Sequence, residues 1–214
     1  MKFVLAVVLN GLLCTPLLAA DWQLPDPQFA RCVDEQAASH HWQQAAQITE
    51  LNCNSRGIES IDGVLQFSHL RSLSVYNNKI KQLKLQGLAE LESLNLANNQ
   101  LEQLQPDNIS NLPALQTLLI FNNQLKQLQL HNFPRLISVK GNNNQLLDFS
   151  YSNLPLLEKI VLFNNKMPTI DFEHLPALKI MDVRQNPMPN SLYDAMNKKV
   201  GVTFMHDGNA ADWK

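Results

Sequence analysis

The chain has 214 residues, 45% of them hydrophobic, which is enough for one domain with a sizeable core. A formal net charge of −2 argues against nucleic acid as the main partner. The seven glycines are scattered and form no phosphate-binding loop.

Residues 1–20 read as a secretory signal peptide. Lys2 supplies the positive start, Phe3 to Leu18 is mostly apolar, and Leu18-Ala19-Ala20 offers small residues before Asp21. The alternative is an uncleaved anchor, but the apolar run falls short of the roughly 20 residues a span needs. Cys14 raises lipidation, against which Leu13 stands where lipoprotein signals carry a small residue. Nothing after the signal is apolar enough for stable membrane insertion. The short basic start and compact caps fit an exported bacterial product, periplasmic or secreted.

Removal of the signal leaves Cys32 and Cys53, an even number that suggests a disulfide in an exported chain. Residues 21–47 form a cap. Within it, Pro27 to Gln47 has helical character, with Phe29, Val33, Ala37 and Ala38 on one face. Asp26 is placed to cap this helix, with Pro27 at its first position. A Cys32–Cys53 bridge would pin the helix over the open end of the core and add about 3 kcal/mol. Two buried free thiols are the alternative. The cysteine spacing is too long for a zinc site, and His40 and His41 face different ways and are solvated.

From Ile48 to Met188 the chain repeats. The clearest copy is LQTLLIFNNQLKQLQLHN, from Leu115 to Asn132. Leu118 and Ile120 point inward on a short strand, their neighbours point outward, and Asn123 turns the chain. Copies start at Ile48, Leu70, Leu91, Leu115, Leu136, Leu157 and Leu178, at intervals of 22, 21, 24, 21, 21 and 21. The turn asparagine recurs as Asn78, Asn99, Asn123, Asn144, Asn165 and Asn186, with Arg56 in its place in the first copy. Its amide is suited to satisfying buried backbone groups between copies. A second asparagine precedes it at Asn77, Asn98, Asn122, Asn143 and Asn164.

This pattern resembles the leucine-rich repeat family over about two thirds of the chain. The resemblance implies an α/β repeat solenoid, right-handed and curved. A parallel sheet would line the concave side, with short extended or 3₁₀ segments on the convex side. Leu128, Leu130 and Phe133 would lie on the convex side, recurring as Phe149, Tyr151 and Leu154, then Ile170, Phe172 and Leu175. The longest copy places a surface loop around Pro106-Asp107-Asn108. Residues 189–214 form the far cap. A helix capped by Ser191 or Asn190 presents Leu192, Ala195 and Met196. A strand within Val200 to Met205 then pairs beside the last copy. His206 to Lys214 reads as a frayed polar tail onto which Trp213 could fold.

On the strands, the outward residues are left for binding. Most are small and polar. The exceptions are Leu119, Phe121, Val161, Phe163 and Ile180, with Lys140, Lys159, Asp182 and Arg184 around them and Tyr76 farther toward the N-terminus. An apolar group ringed by charge suggests an interaction site. Ordinary strand propensity would also place such residues there.

No acid–base set stands beside a nucleophile or metal, as catalysis requires. His69, His131 and His174 fall in convex turns, and Glu173-His174 has no second ligand in register. The expectation is therefore a monomeric protein-binding module, not an enzyme, with no cofactor and no metal. The alternatives are a structural envelope or matrix component or, more remotely, a carbohydrate receptor or an enzyme.

Overall fold

Strand alternation leaves each repeat one short strand with a single core residue. The computed structural model describes residues 22–104 and 108–209. The elements are α1 (Pro27–His40), β1 (Glu50–Asn52), β2 (Ser72–Ser74), β3 (Leu85–Gln86), β4 (Ser93–Asn95), β5 (Ile109–Ser110) and β6 (Thr117–Leu119). They continue as β7 (Gln127–His131), β8 (Ser138–Lys140), β9 (Asp148–Ser152), β10 (Lys159–Val161), β11 (Ile180–Asp182), α2 (Asn190–Lys198) and β12 (Thr203–Met205). Eight strands form one sheet in the order β1-β2-β4-β6-β8-β10-β11-β12, every pair parallel. Leu51, Leu73, Leu94, Leu118, Val139, Ile160, Met181 and Phe204 align across it, none more than 5% exposed. No single strand could bury so much alone; stacking does it.

On the opposite side β3 pairs with β5 and β7 with β9, putting Leu128 beside Phe149 and Leu130 beside Tyr151. Ile170 and Phe172 are buried in the same row but form no strand. Pro168 occupies the place of Leu147, whose N–H donates to the Lys126 carbonyl; proline has no N–H to extend that pairing.

The turn asparagines lie between copies. The Asn123 Nδ2 donates to the Leu96 and Ile120 carbonyls, and its Oδ1 accepts from the Leu101 N–H, each at 3.0 Å. Asn78, Asn99, Asn144, Asn165 and Asn186 accept likewise from Ile58, Ile80, Leu125, Leu146 and Met167. Arg56, in the first copy, instead reaches outward to Glu35.

At the N-terminal cap Cys32 and Cys53 are joined in a disulfide. The Asp26 Oδ1 accepts from the Gln28 and Phe29 N–H groups, and its Oδ2 from those of Glu59 and Ser60. One carboxylate thus caps the helix and ties it to the first repeat. The helix is shorter than expected: α1 stops at His40, and only a 3₁₀ turn, Ala45–Gln47, follows. The apolar stripe ends at Ala37, because the next positions on that face are His40, His41 and Gln44. His41 turns left-handed at φ 59°, and its neighbour Trp42 stacks on the His40 ring. Ala38 is exposed, and Cys32 takes its place on the buried face.

The C-terminal cap differs in three respects. Pro189 starts α2 without a side-chain cap, its carbonyl accepting from Leu192 and Tyr193. The buried face is Tyr193 and Met196, while Ala195 is exposed. Residues 206–209 are not frayed. His206 is fully buried and stacks on Tyr193, its Nε2 lies 3.0 Å from the Asn197 Oδ1, and the Asn209 side chain bonds Phe204 and His206. Burial lowers the His206 pKa, against the charges of Asp207 and Asp194.

The signal segment with Cys14, the loop residues Pro106 and Asp107, and the tail with Trp213 lie outside the described residues. Asn108 donates its amide to the Leu83 carbonyl. Among the described residues no helix is long and apolar enough to cross a membrane.

Candidate functional site on the outer face of the sheet

The core takes the middle residue of each strand. The flanking residues, and the one two places beyond, therefore face outward. Leu119, Lys140, Val161 and Asp182 stand side by side on β6, β8, β10 and β11. Lys159 lies between Ser138 and Ile180. Lys140 and Lys159 are thus diagonal neighbours with Cα atoms about 8 Å apart. Neither has an ion-pair partner among the described residues.

The next outward column holds Tyr76, Ala97, Phe121, Asn142, Phe163 and Arg184. Tyr76 and Phe121 are two strand spacings apart, about 10 Å at their backbones, yet their ring centroids approach to 6.5 Å. The small Ala97 on the strand between them is fully covered. Tyr76 therefore joins the cluster from which its sequence position separated it. Farther on, the Arg184 guanidinium lies 5.8 Å from the Phe163 centroid. It also donates from Nε and Nη2 to the two Asp182 carboxylate oxygens, at 2.9 and 2.7 Å. Asp182 is only 3% exposed, so its charge is spent inside the face. Asn142, also buried, separates the Tyr76–Phe121 pair from the Phe163–Arg184 pair.

Beside this column runs a chain of amides. Asn164 donates to Asn143 at 2.9 Å, Asn143 to Asn122 at 2.6 Å, Asn122 to Asn98, and Asn98 to the Tyr76 hydroxyl at 2.9 Å. All four asparagines have φ between 54° and 55°, a left-handed conformation that asparagine tolerates better than most residues. The doubled asparagines are visible in the sequence, but their hydrogen-bonded ladder is not. They hold the turns that follow the aromatic column.

The most exposed large apolar side chains lie elsewhere: Leu65, Ile137, Leu147, Leu156 and Val200. None stands in the outward columns. A cleft of about 680 Å³ on another side is lined by Glu59, Asp62, Lys79, Lys81 and Lys84, charges of mixed sign. His69 faces Glu90, and His174 faces Asp171. His131 ends strand β7 and is not in a turn; it bonds the Ser152 hydroxyl. No group of three or more His, Cys, Asp or Glu suited to a metal occurs among the described residues.

Residues 68–125 match the model of the leucine rich repeat family. Among solved structures, YopM from Yersinia enterocolitica is 27% identical, with a TM-score of 0.59 over 72% of this chain and 33% of that one. An internalin C2 from Listeria monocytogenes is 20% identical, with a TM-score of 0.57 over 90% and 96% of the two chains. A TLR13–ssRNA13 complex gives 24% identity and a TM-score of 0.53 over 59% and 20%. The present chain thus spans a third of the YopM chain and a fifth of the TLR13 chain. A comparison with curated proteins found no match.

Proposed function

We propose that this leucine-rich repeat protein is an exported, non-catalytic module that binds another protein through the outer face of its eight-stranded sheet. The observation that carries the reading is the column from Tyr76 to Arg184. An aromatic pair, Tyr76–Phe121, and a cation–π pair, Phe163–Arg184, are half-exposed on the sheet. Aromatic and arginine side chains held in place are the usual anchors of protein interfaces, because little conformational entropy remains to be lost. Leu119, Val161 and Ile180 extend the apolar area, and Lys140 and Lys159 border it. The apolar leader, residues 1–20, and the Cys32–Cys53 bridge support export into an oxidising compartment, periplasmic or extracellular.

The test is affinity capture from that compartment with the parent chain and a Phe121→Ser, Phe163→Ser variant, both shown to fold alike by circular dichroism. Loss of two anchors is expected to weaken capture of a specific protein at least about tenfold. Equal capture by both would remove the face as the binding site. No specific capture by either would favour a structural component without a discrete ligand.

A further inference from the structure

The charges on this face are segregated along the solenoid. Lys140 and Lys159 stand on β8 and β10 without ion-pair partners among the described residues. The carboxylate beside them, Asp182, is buried and held by Arg184. Nearby acids are engaged as well: Glu158 with Lys179, and Asp207 with the Gln185 N–H. Among the described residues Asp207 follows β12 at the far end of the face, and the other exposed outward acid of the sheet is Glu50 on β1, four strand spacings from Lys140 in the sheet order. That is about 19 Å, beyond the reach of screened charges at physiological salt. Within the C-terminal half of the face, the stretch from β8 to β10 is therefore cationic and apolar together.

We propose that this half accepts an extended acidic peptide segment of the partner, with two carboxylates two residues apart beside an aromatic or aliphatic side chain. This rests on the protein-binding reading above and names the chemistry of its partner. The spacing follows from geometry. The lysines are offset by one strand spacing and two residues, about 8 Å between Cα atoms, and alternate residues of an extended peptide lie about 6.8 Å apart on one side. The flexible lysine stems take up the remainder. The apolar side chain sits among Phe121, Val161, Phe163 and Ile180. A basic segment would meet the two lysines, with Asp207 lying beyond β12, two strands from Lys159, so this part of the face selects by repulsion as well as attraction.

The test is selection of phage-displayed random decapeptides on the purified chain. Three variants run in parallel: Lys140→Glu with Lys159→Glu, Lys140→Gln with Lys159→Gln, and Phe121→Ser with Phe163→Ser. Circular dichroism confirms the fold of each. The parent is expected to enrich peptides with an acid-x-acid pattern next to an apolar residue. These should bind at least about tenfold more weakly to the glutamine pair, more weakly again to the glutamate pair, and less at high salt. Peptides that depend on the phenylalanines but carry no carboxylates would overturn the acidic chemistry and leave the binding face standing. If no enriched peptide depends on the phenylalanines, the peptide site and the binding face both fall.

Discussion

Asn143 sits at φ 55°, donates to Asn122 and accepts from Asn164. Asn144, one position on, turns inward and bonds the Ile120 and Gly141 carbonyls and the Leu125 N–H. The inward asparagine was legible because its place in a repeat has one physical use, pairing backbone groups that two copies would otherwise bury. The outward one was not, since a left-handed turn leaves no mark beyond the choice of asparagine. Substitution separates its two contributions. Asn143→Gly removes the amide but keeps the turn unstrained. Asn143→Ala removes the amide and forces a Cβ into the left-handed region at about 1 kcal/mol. The alanine variant is expected to be the less stable by about that amount in urea unfolding, the reverse of the usual preference for alanine. Equal stability would show that the turn relaxes to another conformation.

The caps are where sequence reading met competing local forces. Pairing of Cys32 with Cys53 followed from parity and inward alternation. The end of α1 did not, because alanine and glutamine favour helix beyond Ala37 although no core remains for them to face. At the other end Asn190 and Ser191 are good capping types, but the Pro189 carbonyl already accepts the first helical bonds. Asp26 shows a capping residue with a second task. Partial burial raises its pKa, but donation from the Phe29, Glu59, Ser60 and Gln28 N–H groups outweighs that and holds it below the ordinary carboxylate value. Its folded pKa is thus below its unfolded pKa of about 3.9. The stabilisation is complete above that pH and is lost as pH falls through the lower folded value. Asp26→Ala should cost about 1–2 kcal/mol near neutral pH, as loss of a helix cap does. The gap between parent and variant should narrow as the pH falls below about 4. Urea titrations at a series of pH values measure it; a gap independent of pH would mean that the charge plays no part.

At the scale of the molecule, repetition made the sheet order and core readable, since seven copies state one rule seven times. The site was only half readable, because binding residues break the repeat. Column membership could be counted, but not that Tyr76 would lean across Ala97 to Phe121. The same one-dimensional build leaves two open ends, and β12 closes one of them. The Thr203 N–H donates to the Lys179 carbonyl, and the Met205 carbonyl accepts from Val183. Phe204 packs edge-on to Phe172 at 5.1 Å, completing the last core layer. A chain ending at Lys199 would lose these bonds and expose Met181, Phe172 and an unpaired parallel edge, a template for a second copy. Burial of Phe204 alone contributes about 2–3 kcal/mol, which in a domain this size corresponds to a melting-temperature fall of at least about 5 °C. Thermal circular dichroism with analytical sedimentation reads both consequences. The truncated chain should melt lower and sediment as a larger species than the full chain. A truncated chain that melts within about 1 °C of the full one and sediments alike would show that α2 closes the end of the core and that β12 is dispensable.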